Sequence, residues 1–132
     1  MSHIEKITEL IEEYRAAETV ADNLDYLMSI RKELAIEAFL FSKDIAEVKS
    51  CLEQAKAQRK IDFYTMQSQH LDEGLGKSVV YAEKGIRSVR AAEARLEGEY
   101  VGNKTLLIQV NEVLSSLQQD ISQLKAEYKA EL

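Results

Sequence analysis

A chain of 132 residues is the length of one small domain, and this one has no proline, no tryptophan and only five glycines. With 45% hydrophobic and 30% charged residues, its composition is neither disordered nor membrane-like, and the shortage of turn residues excludes a loop-rich β fold. The formal net charge of −6 argues weakly against a nucleic-acid binder.

The first element, about residues 3–15, is a short helix using Ile4, Ile7, Ile11 and Tyr14. Ser2-His3-Ile4-Glu5 reads as a capping box: the serine hydroxyl accepts from a free N–H and the glutamate reaches back. This charged start does not read as a signal peptide. The spacing slips around Ala16–Thr19, which predicts a bend.

A long helix follows over about 19–68. Its seam is Val20, Leu24, Leu27, Arg31, Leu34, Ala38, Phe41, Ile45, Val48, Leu52 and Ala55, in alternating steps of three and four with only Arg31 polar. Ile30, Phe39 and Leu40 widen this stripe, and Ile61, Tyr64 and Met66 keep helical spacing beyond it. The segment around 70–77, with Gly74 and Gly76, is the strong break in the pattern.

A second long helix is expected over about 78–130. Its seam runs Val79, Ala82, Ile86, Val89, Glu93, Leu96, Tyr100, Asn103, Leu107, Val110, Leu114, Leu117, Ile121, Leu124 and Tyr128. The register passes Gly102 without a slip, and Gly102 is where a bend is expected. The fold class is therefore all-α: a short N-terminal helix and then a long antiparallel helical hairpin with coiled-coil-like seams. Such a hairpin leaves apolar stripe uncovered, so a homo-oligomer is expected. Ile86, Val89, Leu96, Tyr100, Leu107, Leu114, Leu117 and Ile121 form the expected oligomer seam. Glu93 can specify register, pair with a basic residue or mark an open spot in the packing, and Asn103 resembles the asparagine that fixes register in coiled coils.

The charge is unevenly spread. Residues 1–53 carry net −6, residues 54–95 net +3 and residues 96–132 net −3. An antiparallel hairpin brings Lys56, Arg59 and Lys60 near Lys84, Arg87 and Arg90, with Lys77 at the tip. Lys77, Tyr81, Lys84, Ser88 and Arg95 also share a stripe off the apolar seam. With Tyr64 and Tyr81 beside it, such a stripe can hold phosphates and stack bases. It can equally be a solvated face with local pairs such as Glu83–Arg87. From the charges alone the second account is the better one, although repetition in a ring strengthens a modest patch through avidity.

Catalytic chemistry finds little footing. Gly76-Lys77-Ser78 is the tail of a phosphate loop, but position 71 is leucine where the motif needs glycine, and no strand precedes it. The paired carboxylates Glu33/Glu37 and Glu93/Glu97 lack the Glu-x-x-His partners of a di-iron site, since the only histidines are His3 and His70. No metal site, cofactor, small-molecule substrate or catalytic residue is expected, and Cys51 is expected to be buried as a small hydrophobe. Asn103-Lys104-Thr105 matches a glycosylation sequon, but nothing in the residues suggests secretion, and a single cysteine fits the reducing compartment of an expected cytoplasmic protein.

Three stretches resemble the UvsY-type phage recombination mediators. Ala57-Gln58-Arg59-Lys60-Ile61-Asp62-Phe63-Tyr64 is similar to that family's run of basic residues, an aliphatic, an aspartate and two aromatics. Gly76-Lys77-Ser78 opens a long helix in a like place, and Glu99-Tyr100-Val101-Gly102 resembles a late Tyr-x-Gly step. Together they frame roughly residues 50–130. The resemblance implies a helical protein that forms rings, binds single-stranded DNA and helps load a recombinase onto strands covered by single-strand binding protein. It implies Arg59 and Lys60 as phosphate contacts, with Tyr64 or Phe63 stacking or packing. The chain departs from the family in being less basic. The expected function is thus a non-enzymatic, oligomeric single-stranded-DNA-binding mediator in the cytoplasm of a bacterial host. Its expected nucleic-acid-binding residues are Lys56, Arg59, Lys60, Tyr64, Lys77, Lys84, Arg87 and Arg90. The alternative is a helical protein-interaction module: an adaptor, an assembly chaperone or a phage-type inhibitor of a host nuclease or defence complex. Glu5, Glu9, Glu12 and Glu13 would then give the first helix a negative face for a basic groove.

Overall fold

The computed structural model describes residues 2–18 and 24–131, and its elements are all helical. They are α1 (His3–Glu18), α2 (Leu24–Gln69), a single 3-10 turn over Leu71–Glu73, α3 (Leu75–Gly85) and α4 (Arg87–Glu131). No strand occurs among the described residues. The arms α2 and α4 pack against each other as a hairpin. The expected start of the long helix at 19, its first seam residue Val20 and the Thr19 end of the expected bend lie outside the described residues.

The chain forms two compact units. Unit 1 is built from α1, α2 up to Asp44 and α4 from Lys104 onward, and unit 2 spans Ile45–Asn103. In unit 1 the buried residues include Ile7, Leu10, Tyr14 and Ala17 of α1, Leu27, Ile30, Leu34 and Phe41 of α2, and Val110, Leu117 and Ile121 of α4. The buried stripe of α1 is therefore turned from the expected one: Ile4 is exposed and Ile11 half-buried, while Leu10 and Ala17 go inside. The cause is that α1 has two neighbours. His3 Nδ1 meets Glu37 Oε2 of α2 at 2.6 Å, and the Tyr14 hydroxyl donates to Asp120 Oδ2 of α4 at 2.5 Å. Ser2 starts the helix as its sequence predicts, its Oγ accepting from the Glu5 N–H at 3.2 Å.

Unit 2 has a thinner core. Ile45, Leu52, Ser78, Ala82 and Ile86 are buried, and most of its other seam positions are half-buried. The chain reverses at Gly74, whose φ of +102° is a conformation that L side chains rarely adopt. The Gly74 N–H donates to Leu71 O, and Gly74 O accepts from the Ser78 N–H, so its backbone closes one turn and opens the next. Helix resumes at Leu75, earlier than expected.

The second arm is interrupted at Ile86 (φ −102°, ψ 8°) and not at Gly102, through which α4 runs unbroken. The interruption is slight. The Ile86 N–H still reaches Ala82 O at 3.2 Å, and Ile86 O accepts from the Arg90 N–H at 2.9 Å. The seam accordingly keeps its register, with Ile86 fully buried.

Gly85 lies just before this point, and a Cβ built on it would overlap the Met66 methyl. Alanine normally stabilises a helix interior over glycine by about 0.8–1 kcal/mol. We expect Gly85→Ala to forfeit that gain in the native chain, because Met66 must be displaced. The gain should return in a Met66→Ala background. A double-mutant cycle by urea denaturation should show coupling of about 0.5 kcal/mol or more. Equal effects in both backgrounds would mean that Met66 yields freely.

Candidate functional site

The eight residues expected to bind nucleic acid all lie in unit 2, and their surroundings divide them. Arg59 is not free. Its Nε lies 2.6 Å from Glu93 Oε2, with both side chains largely covered. The N–H is not aimed at the carboxylate, so the contact is an ion pair without a well-directed hydrogen bond. Of the three roles open to Glu93 on the seam, pairing with a basic residue is the one observed. Arg90 is also engaged: Nη1 sits 2.9 Å from Glu83 Oε2 and Nη2 3.4 Å from Oε1. Glu83 thus pairs with Arg90 and not with Arg87 four residues on, and the interruption at Ile86 falls between Glu83 and both arginines. Lys56 keeps a long contact of 3.9 Å to Glu53, an exposed i,i+3 pair of little energetic weight.

Lys60, Lys77, Lys84 and Arg87 are exposed and make no ion pair with any described residue. They are the cations of the expected set that solvent, or a phosphate, can reach. Tyr64 is 65% exposed on α2 and meets Phe63 edge-on at 5.7 Å between ring centroids. Tyr81 is partly covered: the His70 ring stacks on it at 4.2 Å with 17° between planes, and Glu73 Oε2 lies 2.9 Å from His70 Nδ1. Sequence spacing gave no signal for this stack, because its members lie on opposite sides of the chain reversal.

Unit 2 carries nine acidic and nine basic side chains, whereas unit 1 carries the whole net charge of −6. Any phosphate affinity in unit 2 must therefore come from local placement, not from a net positive field. The Ser78 hydroxyl of Gly76-Lys77-Ser78 is buried and donates to Leu75 O at 2.7 Å, so it is not presented to a ligand. No group of three or more His, Cys, Asp or Glu able to hold a metal occurs among the described residues. No described helix is long and apolar enough to cross a membrane. Cys51 is exposed, against expectation, because it falls one residue short of the seam position Leu52.

The expected oligomer seam is largely used inside the chain. Ile86, Leu117 and Ile121 are buried, and Val89, Leu96, Tyr100, Leu107 and Leu114 are half-buried. The large apolar side chains left most exposed are elsewhere, among them Phe39, Ile61, Tyr64 and Leu75. No family model, curated protein or solved structure matches the chain.

Proposed function

We propose that the chain is a non-enzymatic, self-associating single-stranded-DNA binder that acts in the cytoplasm as a phage-type recombination mediator and helps a recombinase load. The observation that carries this reading is the set of exposed, unpaired cations in unit 2, Lys60, Lys77, Lys84 and Arg87, with the open ring of Tyr64 on the same helix as Lys60. Flexible lysines suit a sequence-independent backbone, and an exposed tyrosine offers a face to any base. The resemblance of residues 57–64 and 76–78 to the mediator segments supports the same assignment. Arg59 and Arg90, being paired within the chain, are secondary. Partners of this reading are single-stranded DNA, a recombinase and a single-strand binding protein.

The test is fluorescence anisotropy with an oligothymidylate over a salt series. Four phosphate contacts predict a log–log salt slope of about −3. The variant K60A/K77A/K84A/R87A should lose most of the affinity and flatten the slope. Binding unchanged in that variant would remove the assigned interface. The second reading, a protein-interaction module, draws on the concentration of the net negative charge in unit 1. It predicts no oligonucleotide binding even at low salt.

A further inference from the structure

In unit 1 a groove of about 340 Å³ opens between α1 and the first half of α2. Ile36, 49% exposed, gives it open apolar surface beside the buried Leu10, and Glu9, Glu13, Glu33 and Lys6 also line it. Glu37, on the same wall, is already held by His3 and by Lys6 at 3.7 Å. Glu9, Glu13 and Glu33 make no ion pair with any described residue. The groove thus combines an apolar surface with three unbalanced carboxylates. Its natural cover is an apolar helix face carrying lysines.

Unit 2 carries such a face. On α2, Ala57, Lys60, Ile61 and Tyr64 follow one another at helical spacing, and all four are exposed. Ile61 and Tyr64 keep 58% and 65% of their surface in solvent. Lys60 is unpaired, and Lys56, one turn before it, has only the long contact to Glu53. Asp62, the nearest acid in sequence, is turned to Gln58, whose Nε2 donates to it at 2.8 Å. The stripe is therefore basic and apolar, as the groove is acidic and apolar.

We infer that the α1–α2 groove of one molecule receives the Lys56–Tyr64 stripe of α2 from a second copy of this chain. Ile61 and Tyr64 lie against Leu10 and Ile36, and Lys56 and Lys60 face Glu9, Glu13 and Glu33. The contact joins two different surfaces, so each copy offers both a groove and a stripe to its neighbours. It rests on the self-association in the proposed function, but it assigns that association to surfaces other than the helical seam. The charged rim makes it sensitive to ionic strength, since raising salt from about 10 mM to about 1 M shortens the screening length from about 30 Å to about 3 Å.

Light scattering on the full chain, without DNA, tests this. The expected mass at low salt is above the 15.0 kDa of one chain and falls toward it as salt rises. K56E/K60E alone and E9K/E13K/E33K alone should each stay near one chain. Their mixture should associate again, because the reversed stripe then meets the reversed groove. A mass of one chain at every salt concentration overturns the inference, as does association unaffected by salt or by either reversal. A mixture that fails to recover while each variant keeps its helical circular dichroism also overturns it. Anisotropy with an oligothymidylate on the native chain separates the two readings. A chain that binds the oligonucleotide but stays at one-chain mass overturns the docking and the self-association it rests on, and leaves the DNA binding standing. Lys60 and Tyr64 belong to both surfaces, so the oligonucleotide and a second copy compete for them. A chain that still fails to bind when diluted to one-chain mass overturns the DNA reading alone.

Discussion

Phe41→Ala is expected to destabilise the chain by about 3–5 kcal/mol, a large part of the 5–15 kcal/mol that typically holds a small domain together. Phe41 is 2% exposed on the α2 seam, with Leu34 and Ala38 of the same stripe also buried. Its removal deletes a full aromatic ring from the apolar interior of unit 1 and leaves a cavity that rigid helices cannot easily fill. Phe39 provides the control. It lies two residues away on the opposite side of the helix, 62% exposed, with Lys43 Nζ 4.9 Å from its ring centroid. Phe39→Ala loses an exposed cation–π contact and little burial, so it should cost about 1 kcal/mol or less. Urea denaturation followed by circular dichroism reads both. Similar costs for the two phenylalanines would contradict the assigned face of α2.

The second large effect is expected at Glu93. Glu93→Gln removes the charge that offsets Arg59, leaving a largely covered guanidinium without its counter-charge. The expected cost is about 1–3 kcal/mol. Arg59→Met strands the carboxylate in the same way and should cost a similar amount. The double replacement R59M/E93L exchanges the pair for apolar contact and should be close to neutral, or stabilising. The coupling between the two sites is then large, and a double-mutant cycle measures it. Oligonucleotide binding supplies an independent readout. Because Arg59 is neutralised within the chain, R59M/E93L should bind an oligothymidylate about as well as the native chain, whereas Lys60→Ala should weaken it. A strong loss in the double variant would return Arg59 to the DNA-contacting set.

The hairpin was legible because its signal is one of period. Alternating steps of three and four place residues on one stripe whatever they touch, and of the described seam positions only Arg31 and Tyr128 are exposed. The sequence reads as one unbroken second arm with a bend at Gly102, yet the arm is interrupted at Ile86, where a buried aliphatic holds its place while its own dihedrals depart from helix. The one local cue is Gly85 directly before Ile86, a residue that weakens a helix interior, whereas Val89 and Leu96 have no glycine neighbour. Side-chain partners were the least legible feature. A polar residue on an apolar seam marked Glu93 as special, but Arg59 had been read as a phosphate contact. Charges counted along the chain do not reveal which are matched across the hairpin, so the Arg59–Glu93 pair had no signal in the sequence. Tyr14 and Asp120 are 106 positions apart, and no local pattern joins them.

The division of the chain bears on the order in which it folds. Unit 2 is one continuous stretch, Ile45–Asn103, so its contacts can form as soon as that stretch leaves the ribosome. Unit 1 is assembled from the two flanking segments, and its α4 share is made last. Leu27, Ile30, Leu34 and Phe41 must wait for Val110, Leu117 and Ile121 before their stripe is covered. At about 5–20 residues per second the delay is several seconds. During that interval only α1 covers the apolar face of the nascent α2, and the side that α4 later buries stays open to wrong contacts during synthesis.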